Sequence, residues 1–584
     1  MCLAALILKS CANMAQGPTG GAKDETPPRF VRSSPPPNAV NVQQNKIEIE
    51  FDEYIVLENP MKNLVVSPTQ SQFPIAKGLG RKVVVELKDS LLENTTYTLD
   101  FGNSIVDNNE KNPVTDFVFS FSTGPVLDTM MISGVVLNAE NLAPVPGIYA
   151  GVYTDLEDSV FTTRKMERIT RTNPKGNFTL RNLAEKPYRV YALEDVNNNY
   201  FFDQRTERIA VLEEIITPRL ELKTEKDTTG SDSIVARKVA RFLPDSLLLR
   251  LYKEEDNRQF FIKSERNSAW KFTLYFKNFT KKLPEITPLN FEGENWLLSE
   301  PSVTHDTLVY WIKDSLIFKQ DTLRFAIHYE KTDSLEKLIP ASDTLTLIYK
   351  EKKLSNREKK ENEDKIIFTK TLSTPSTVEI YNKPAIEWEK PLTSFTKEHL
   401  KLTVKKDTLW NDLDFRIELD SQRNLRTYRL IADFEPGKEY KMQIDSATVF
   451  DILGFHNDKI EAKFKIRSKE EYSNLFLLLK NAPEKAFVQL LNKNDLPIMQ
   501  SPVIDGKATF QFVKPGEYFL RLIDDRNGNG RWDTGNFRER RQPEQVFYYN
   551  QKIRLRVNWD VEETWDVTAV PLQLQRPEEL RGKK

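Results

Sequence analysis

One loop occurs twice in this chain, and it occurs inside a copied frame. Asp195-Val-Asn197-Asn-Asn199-Tyr-Phe-Phe-Asp203 and Asp525-Arg-Asn527-Gly-Asn529-Gly-Arg-Trp-Asp533 both read D-x-N-x-N-x-x-aromatic-D. Upstream, Gly176 precedes Tyr188 by twelve residues and Gly506 precedes Tyr518 by twelve; each tyrosine precedes its first loop Asp by seven. A whole module has therefore been duplicated without a gap. With 584 residues the chain is too long for one core, and roughly four or five domains are expected. Chains of copied β-modules more often present surfaces than perform chemistry.

Charge and rare residues narrow the function classes. Lys plus Arg (84) balance Asp plus Glu (85), so no net field favours nucleic acid or another polyanion. The two cysteines, Cys2 and Cys11, both lie at the N-terminus, which excludes an internal disulfide framework and a thiolate metal site. His305, His328, His399 and His456 are scattered singly, against a histidine-rich metal site. Residues 3–8 form a short apolar run, followed by Leu8-Lys9-Ser10-Cys11 and a small, Gly-rich stretch to Lys23. This resembles the end of a bacterial lipoprotein signal, in which Cys11 becomes diacylated. It departs from that pattern in lacking a basic segment before the apolar run and in carrying Lys9. The alternative is a cytosolic N-terminus with two incidental thiols. The run is too short to span a bilayer, so acyl chains would supply the membrane attachment.

Residues 24–125 read as one β-domain. Prolines at its opening mark an edge, and Lys46-Ile-Glu-Ile-Glu-Phe-Asp52 alternates as a half-buried strand does. Lys82 to Leu87, Tyr97 to Phe101 and Phe117 to Phe121 follow as strands between Asn, Asp and Pro turns. The Ser-Pro-Pro-Pro-Asn-Ala-Val start, the Ile-Glu-Ile-Glu-Phe-Asp-Glu strand and the Thr-Tyr-Thr-Leu-Asp-Phe…Phe-Ser-Phe-Ser-Thr-Gly close resemble the bacterial Ig-like domain of S-layer-type proteins. With the N-terminal signal and tether, the whole resembles a family of Bacteroidetes lipoproteins. That resemblance implies an adhesive or scaffolding module without catalytic residues. Residues 366–468 repeat the pattern, with Tyr440 aligned to Tyr97, Asp451 to Asp107 and Phe464 to Phe119.

Residues 131–218 form the first copied module and 472–572 the second. Gly176-Asn-Phe-Thr-Leu-Arg-Asn-Leu followed by Tyr188-Arg-Val-Tyr-Ala resembles the transthyretin-like or collagen-adhesin B-type fold. Residues 219–350 are expected to form a β-sandwich of uncertain type, in which Asp306, Asp321 and Asp343 open strands as turn formers. A charged linker at 351–365 and a frayed polar tail at 573–584 complete the order, after the tether at 1–23. The expected fold is thus all-β: tandem Ig-like and transthyretin-like sandwiches in an elongated array.

Two readings of the repeated loop stand side by side. In the first, Asp195, Asn197, Asn199 and Asp203, and likewise Asp525, Asn527, Asn529 and Asp533, are calcium ligands. Oxygens at places 1, 3, 5 and 9 match the front half of an EF-hand-type loop. Place 12 holds Thr206 and Asn536 instead of Glu, and Tyr200 replaces the Gly that Gly530 supplies; Glu207, one place later, is the substitute in the first copy, and the second offers Glu539 only if its loop bends differently. In the second reading the same side chains bond to nearby amides and shape a hairpin loop. No G-x-S-x-G elbow, H-E-x-x-H helix or P-loop is present. Trp270, Trp296, Trp311, Trp388, Trp410, Trp532, Trp559 and Trp565 are read as packing residues, with a sugar-stacking platform as the alternative.

These readings converge on a non-enzymatic, lipid-anchored scaffold or binding module at the outer membrane, on its periplasmic or its external face. Its partner would be another envelope protein. The alternatives are a carbohydrate- or peptide-binding lipoprotein of a nutrient-uptake system, or a hydrolase whose residues form no motif. Calcium is the only cofactor implied.

Overall fold

The computed structural model describes residues 24–227, 235–350, 368–369 and 371–580. Cys11 and the linker 351–365 lie outside them. The described residues are β-strands joined by turns, and the helices among them are single turns of three or four residues. None is long and apolar enough to cross a membrane. The chain divides into two compact units: residues up to 255 together with 523–550 and 570–584, and residues 256–522 together with 551–569.

In the first unit, the strand Lys46–Phe51 shows why its residues form a sheet. Ile47, Ile49 and Phe51 are buried while the residues between them are half-exposed, the two-residue period of a strand with one face in a core. It sits between Phe30–Ser34 and Lys82–Glu86, with Ile75–Leu79 beyond. The sheet Val65–Ser67, Thr96–Gly102, Phe117–Ser122 supplies the other layer, and Tyr97, Leu99, Phe101, Phe119 and Phe121 join the same apolar core.

The first copied module follows in the same unit. Its sheet runs Arg168–Arg171, Tyr149–Tyr153, Arg189–Leu193, Arg208–Val211, Leu247–Lys253, Met130–Asn138, Asn177–Leu183. Leu247–Lys253 lies beyond the boundary expected at 218, yet it runs parallel to Met130–Asn138. Leu247, Leu249 and Leu251 enter the module's core. The hairpin Arg219–Asp227 with Val235–Leu243 stands between this strand and the rest of the module, which is why local patterning assigned the strand elsewhere. Gly134 marks the contact: a Cβ there would lie 2.2 Å from the Leu247 carbonyl oxygen.

In the second unit, residues 256–350 form a four-stranded and a three-stranded sheet around Phe272, Leu274, Trp296, Tyr310 and Phe325. Residues 371–466 form two sheets of four and five strands around Trp388, Leu430, Tyr440, Met442 and Phe464. This frame corresponds to the first Ig-like domain in detail. Tyr97 stacks on Phe121 (centroids 5.2 Å apart) and Tyr440 on Phe464 (5.4 Å). Each tyrosine hydroxyl accepts from the amide five residues upstream, Leu92 in one domain and Glu435 in the other. Phe464 is therefore the counterpart of Phe121, not of Phe119 as sequence alignment has it. An F-x-F strand keeps its buried face under a two-residue slip, so only the cross-strand register separates the two alignments.

In the second copied module, Ser473–Lys480 lies antiparallel to Lys507–Val513 and parallel to Asp560–Asp566. This repeats the arrangement of Met130–Asn138 with Asn177–Leu183 and Leu247–Lys253.

The stretch after residue 572, expected to fray, packs in the first unit as far as Leu580. Gln575, Arg576 and Leu580 are buried. Gln575 accepts from the Tyr548 amide and donates to the Val570 carbonyl; Arg576 donates to the Leu580 and Asn141 carbonyls. A polar stretch docks when its donors meet backbone acceptors, which composition alone does not reveal.

Candidate functional site

The two Asp/Asn loops are built on the same bonds. In the first, Asp195 Oδ1 and Oδ2 accept from the amides of Asn199 (3.2 Å) and Tyr200 (2.8 Å). In the second, Asp525 accepts from Asn529 (3.0 Å) and Gly530 (2.9 Å) in the same way. Asn197 and Asn527 each accept from the amide two residues on, as do Asn199 and Asn529. The side-chain amides of Asn197 and Asn199 donate to Asp203, and those of Asn527 and Asn529 to Asp533. The loop backbone reaches positive φ at Asn198 and Tyr200, and at Gly528 and Gly530 in the copy. Tyr200 thus occupies a conformation that Gly530 adopts without strain; its ring is held edge-on to Tyr149, with centroids 5.4 Å apart.

A buried glutamate closes each loop. Glu207, 0% exposed, accepts from the amides of Val196 (3.1 Å) and Gln204 (3.3 Å). Its counterpart is Glu544, 5% exposed, which accepts from Arg526 (2.9 Å) and Asp533 (3.0 Å). Val196 and Arg526 occupy the same place in the two loops. Burial pushes both carboxyls above the ordinary carboxylate range; the charge of Asp195 adds to this at Glu207, and those of Asp533 and Asp525 at Glu544. Counting forward from the loop pointed to Glu539 in the second copy. Glu539 is instead exposed and paired with Arg541. The signal for Glu544 lies downstream: it shortly precedes the strand Val546–Tyr548, as Glu207 directly precedes Arg208–Val211.

The loops thus gather Asp195, Asn197, Asn199, Asp203 and Glu207 at one place, and Asp525, Asn527, Asn529, Asp533 and Glu544 at another. Their oxygens are engaged by amide hydrogens. Among the described residues no group of three or more His, Cys, Asp or Glu is placed to hold a metal ion. For calcium to be held here, Asn197 and Asn199, and Asn527 and Asn529, would have to turn their oxygens toward the closing aspartate.

The spacing between loop and glutamate differs because the second copy carries extra residues, and these have a task of their own. Thr534 donates to the Lys253 carbonyl (2.6 Å), the Phe537 amide to Glu254 (2.6 Å), and Gln542 to the Val211 carbonyl (3.1 Å). Arg540 pairs with Asp158, and Arg250 donates to the Pro543 carbonyl (3.2 Å). The Phe537 ring meets Phe161, Tyr191 and Phe202 edge-on, at centroid distances of 5.4, 6.5 and 6.1 Å. Phe202 is itself the aromatic residue of the first loop. Gly535 allows the approach: a Cβ there would come within 2.6 Å of the Tyr252 ring. Sequence offers no sign of this docking, since Phe537 lies outside every repeat.

The tryptophans differ in burial, and Trp270, Trp410 and Trp532 are half-buried. Trp296, Trp311, Trp388 and Trp565 are core side chains, and Trp559 is exposed.

Residues 24–123 match the bacterial Ig-like domain family. No curated protein matches the chain. Among solved structures, the S-layer protein rSbsC(31-844) is 11% identical with a TM-score of 0.13, over 85% of this chain and 65% of that one. The chain thus spans slightly under two thirds of that protein. The Bacillus anthracis TIE protein is 11% identical (TM-score 0.12; 94% and 76% covered), and the titin I-band fragment I67-I69 is 10% identical (0.11; 46% and 94%).

Proposed function

We propose that this chain is a non-enzymatic, lipid-anchored protein of the bacterial cell envelope whose β-modules act as a scaffold or binding surface. One observation carries the reading. The most distinctive polar residues of the chain, the two Asp/Asn loops with Glu207 and Glu544, are spent on their own backbone amides rather than presented to a cleft. They brace turns in modules that follow a bacterial Ig-like domain. The copied modules are read as transthyretin-like, and the organism as one of the Bacteroidetes, on the sequence resemblance alone. Cys11 is the proposed lipidation site and the outer membrane the proposed location. Detergent phase partition of the full-length chain and of Cys11→Ala tests the anchor: both remaining in the aqueous phase would remove it. Crosslinking in intact envelopes, followed by capture of the tagged chain, tests for an envelope-protein partner.

Calcium is the second reading of the loops. Glu207 and Glu544, buried beside aspartates, are the carboxylates that a bound divalent cation would stabilise. Thermal unfolding with calcium and with chelator decides it. Superimposable transitions leave the loops as hydrogen-bonded braces; a calcium-dependent rise in melting temperature makes them cation sites that stiffen the modules.

A further inference from the structure

The two Ig-like frames carry side chains of opposite charge at one shared position. The Phe51 amide donates to the Arg81 carbonyl and the Trp388 amide to the Arg426 carbonyl, which sets the two strands in correspondence. Two residues further on, Glu53 stands in the first frame and Lys390 in the second. Glu53 feels the like charge of a buried aspartate, Asp107, whereas Lys390 is ion-paired with one, Asp451. Asp107, 2% exposed, spends both oxygens on backbone amides: Oδ1 on those of Asn109, Glu110 and Lys111, and Oδ2 on that of Asn112. Asp451, 0% exposed, is held differently. Its Oδ1 accepts from the amides of Leu453 (2.9 Å) and Phe455 (3.0 Å), while Oδ2 is buried without a hydrogen bond. Lys390, 4% exposed, places Nζ 3.2 Å from that Oδ2. The rings of Phe455 and Trp270 lie 4.8 and 5.2 Å from Nζ.

We propose that Lys390 and Asp451 join in an intramolecular amide bond formed by the folded chain itself. The arrangement supplies what the condensation needs. Burial and the two amides on Oδ1 fix the acid, and the amine is held beside its other oxygen, so the encounter is already made. Attack of Nζ on Cγ puts negative charge on Oδ1, where the Leu453 and Phe455 amides point, as donors do in an oxyanion hole. One proton passes from the ammonium to Oδ2 before the attack and a second after it. The Nζ–Cγ bond forms, the Cγ–Oδ2 bond breaks, and Oδ2 leaves as water. Nothing is oxidised or reduced and no co-reactant is required. The product replaces a buried ion pair, which is costly to desolvate, with a neutral amide whose oxygen keeps both hydrogen bonds. Asp107 cannot take this course, because its frame offers a carboxyl, Glu53, where the second frame offers an amine.

The test is mass spectrometry of the full-length chain, purified folded and digested with trypsin. The expected result is one branched species containing the peptides of Lys390 and Asp451, lighter than their sum by one water (about 18 Da). Lys390→Met should lack the branch. Asp451→Asn should give a branched species of the same mass as the wild type, since it loses ammonia instead of water. Recovery of both wild-type peptides unbranched, from protein whose near-ultraviolet circular dichroism shows it folded, would overturn the proposal and leave a buried ion pair. Should either variant fail to fold, the wild-type digest alone decides.

Discussion

Replacing Phe537 with alanine removes the anchor that docks the second loop's extension in the first unit. A fully buried Phe→Ala change costs about 3–5 kcal/mol, and an aromatic pair adds about 0.5–1.5 kcal/mol beyond its area. Phe537 is half-buried but touches three rings, at 5.4, 6.1 and 6.5 Å. Half the burial term with part of the ring contacts gives about 2–3 kcal/mol. The loss falls on a local opening, because the strands flanking the loop keep their own cores. The assay is therefore hydrogen exchange read peptide by peptide. Amides between 533 and 545, among them Asn536 and Arg541, which bond to each other's carbonyls, should exchange about 30- to 150-fold faster. Phe537→Leu should lose about half as much free energy. Core strands such as Lys46–Phe51 serve as the internal control. Exchange of 533–545 unchanged within about threefold would show that the ring contacts do not hold the extension, and the reasoning would fall.

Three further outcomes follow from the same geometry. Glu207 and Glu544 bind protons more readily in the fold than in the unfolded chain. Stability at these loops is therefore highest below the ordinary carboxylate range and falls as pH rises from there through their raised folded values; Glu207→Gln should flatten that slope in a pH series of unfolding curves. Gly535→Ala should destabilise the docked extension by about 1–3 kcal/mol, since its Cβ meets the Tyr252 ring, and a Tyr252→Leu background should relieve part of the loss in a double-mutant cycle. Tyr97→Phe and Tyr440→Phe each strip the acceptor from one backbone amide, so each should cost its own domain about 1–3 kcal/mol in denaturant titrations; unequal effects would break the correspondence between the frames.

Much of the candidate site was legible in the chain. The D-x-N-x-N pattern names the residues that bond to amides two, four and five places on, because those bonds are local and the spacing is theirs. Glu544 was not legible by counting, since the docking extension lies between it and the loop. Nor was the role of Phe537, whose partners stand more than three hundred residues earlier.

Alternating strands such as Lys46–Phe51, the face each buries and the duplication of both frames are legible in sequence alone, because a period of two and a turn residue act over a few positions. Tertiary structure decided which strand completes the first copied module, which glutamate closes the second loop, and which buried amine faces Asp451. Those pairings join residues from eleven to more than a hundred positions apart, beyond the reach of local pattern. The apolar cores that hold the folded backbone bring them together; the polar pairs among them owe their place to that packing and not to their own attraction.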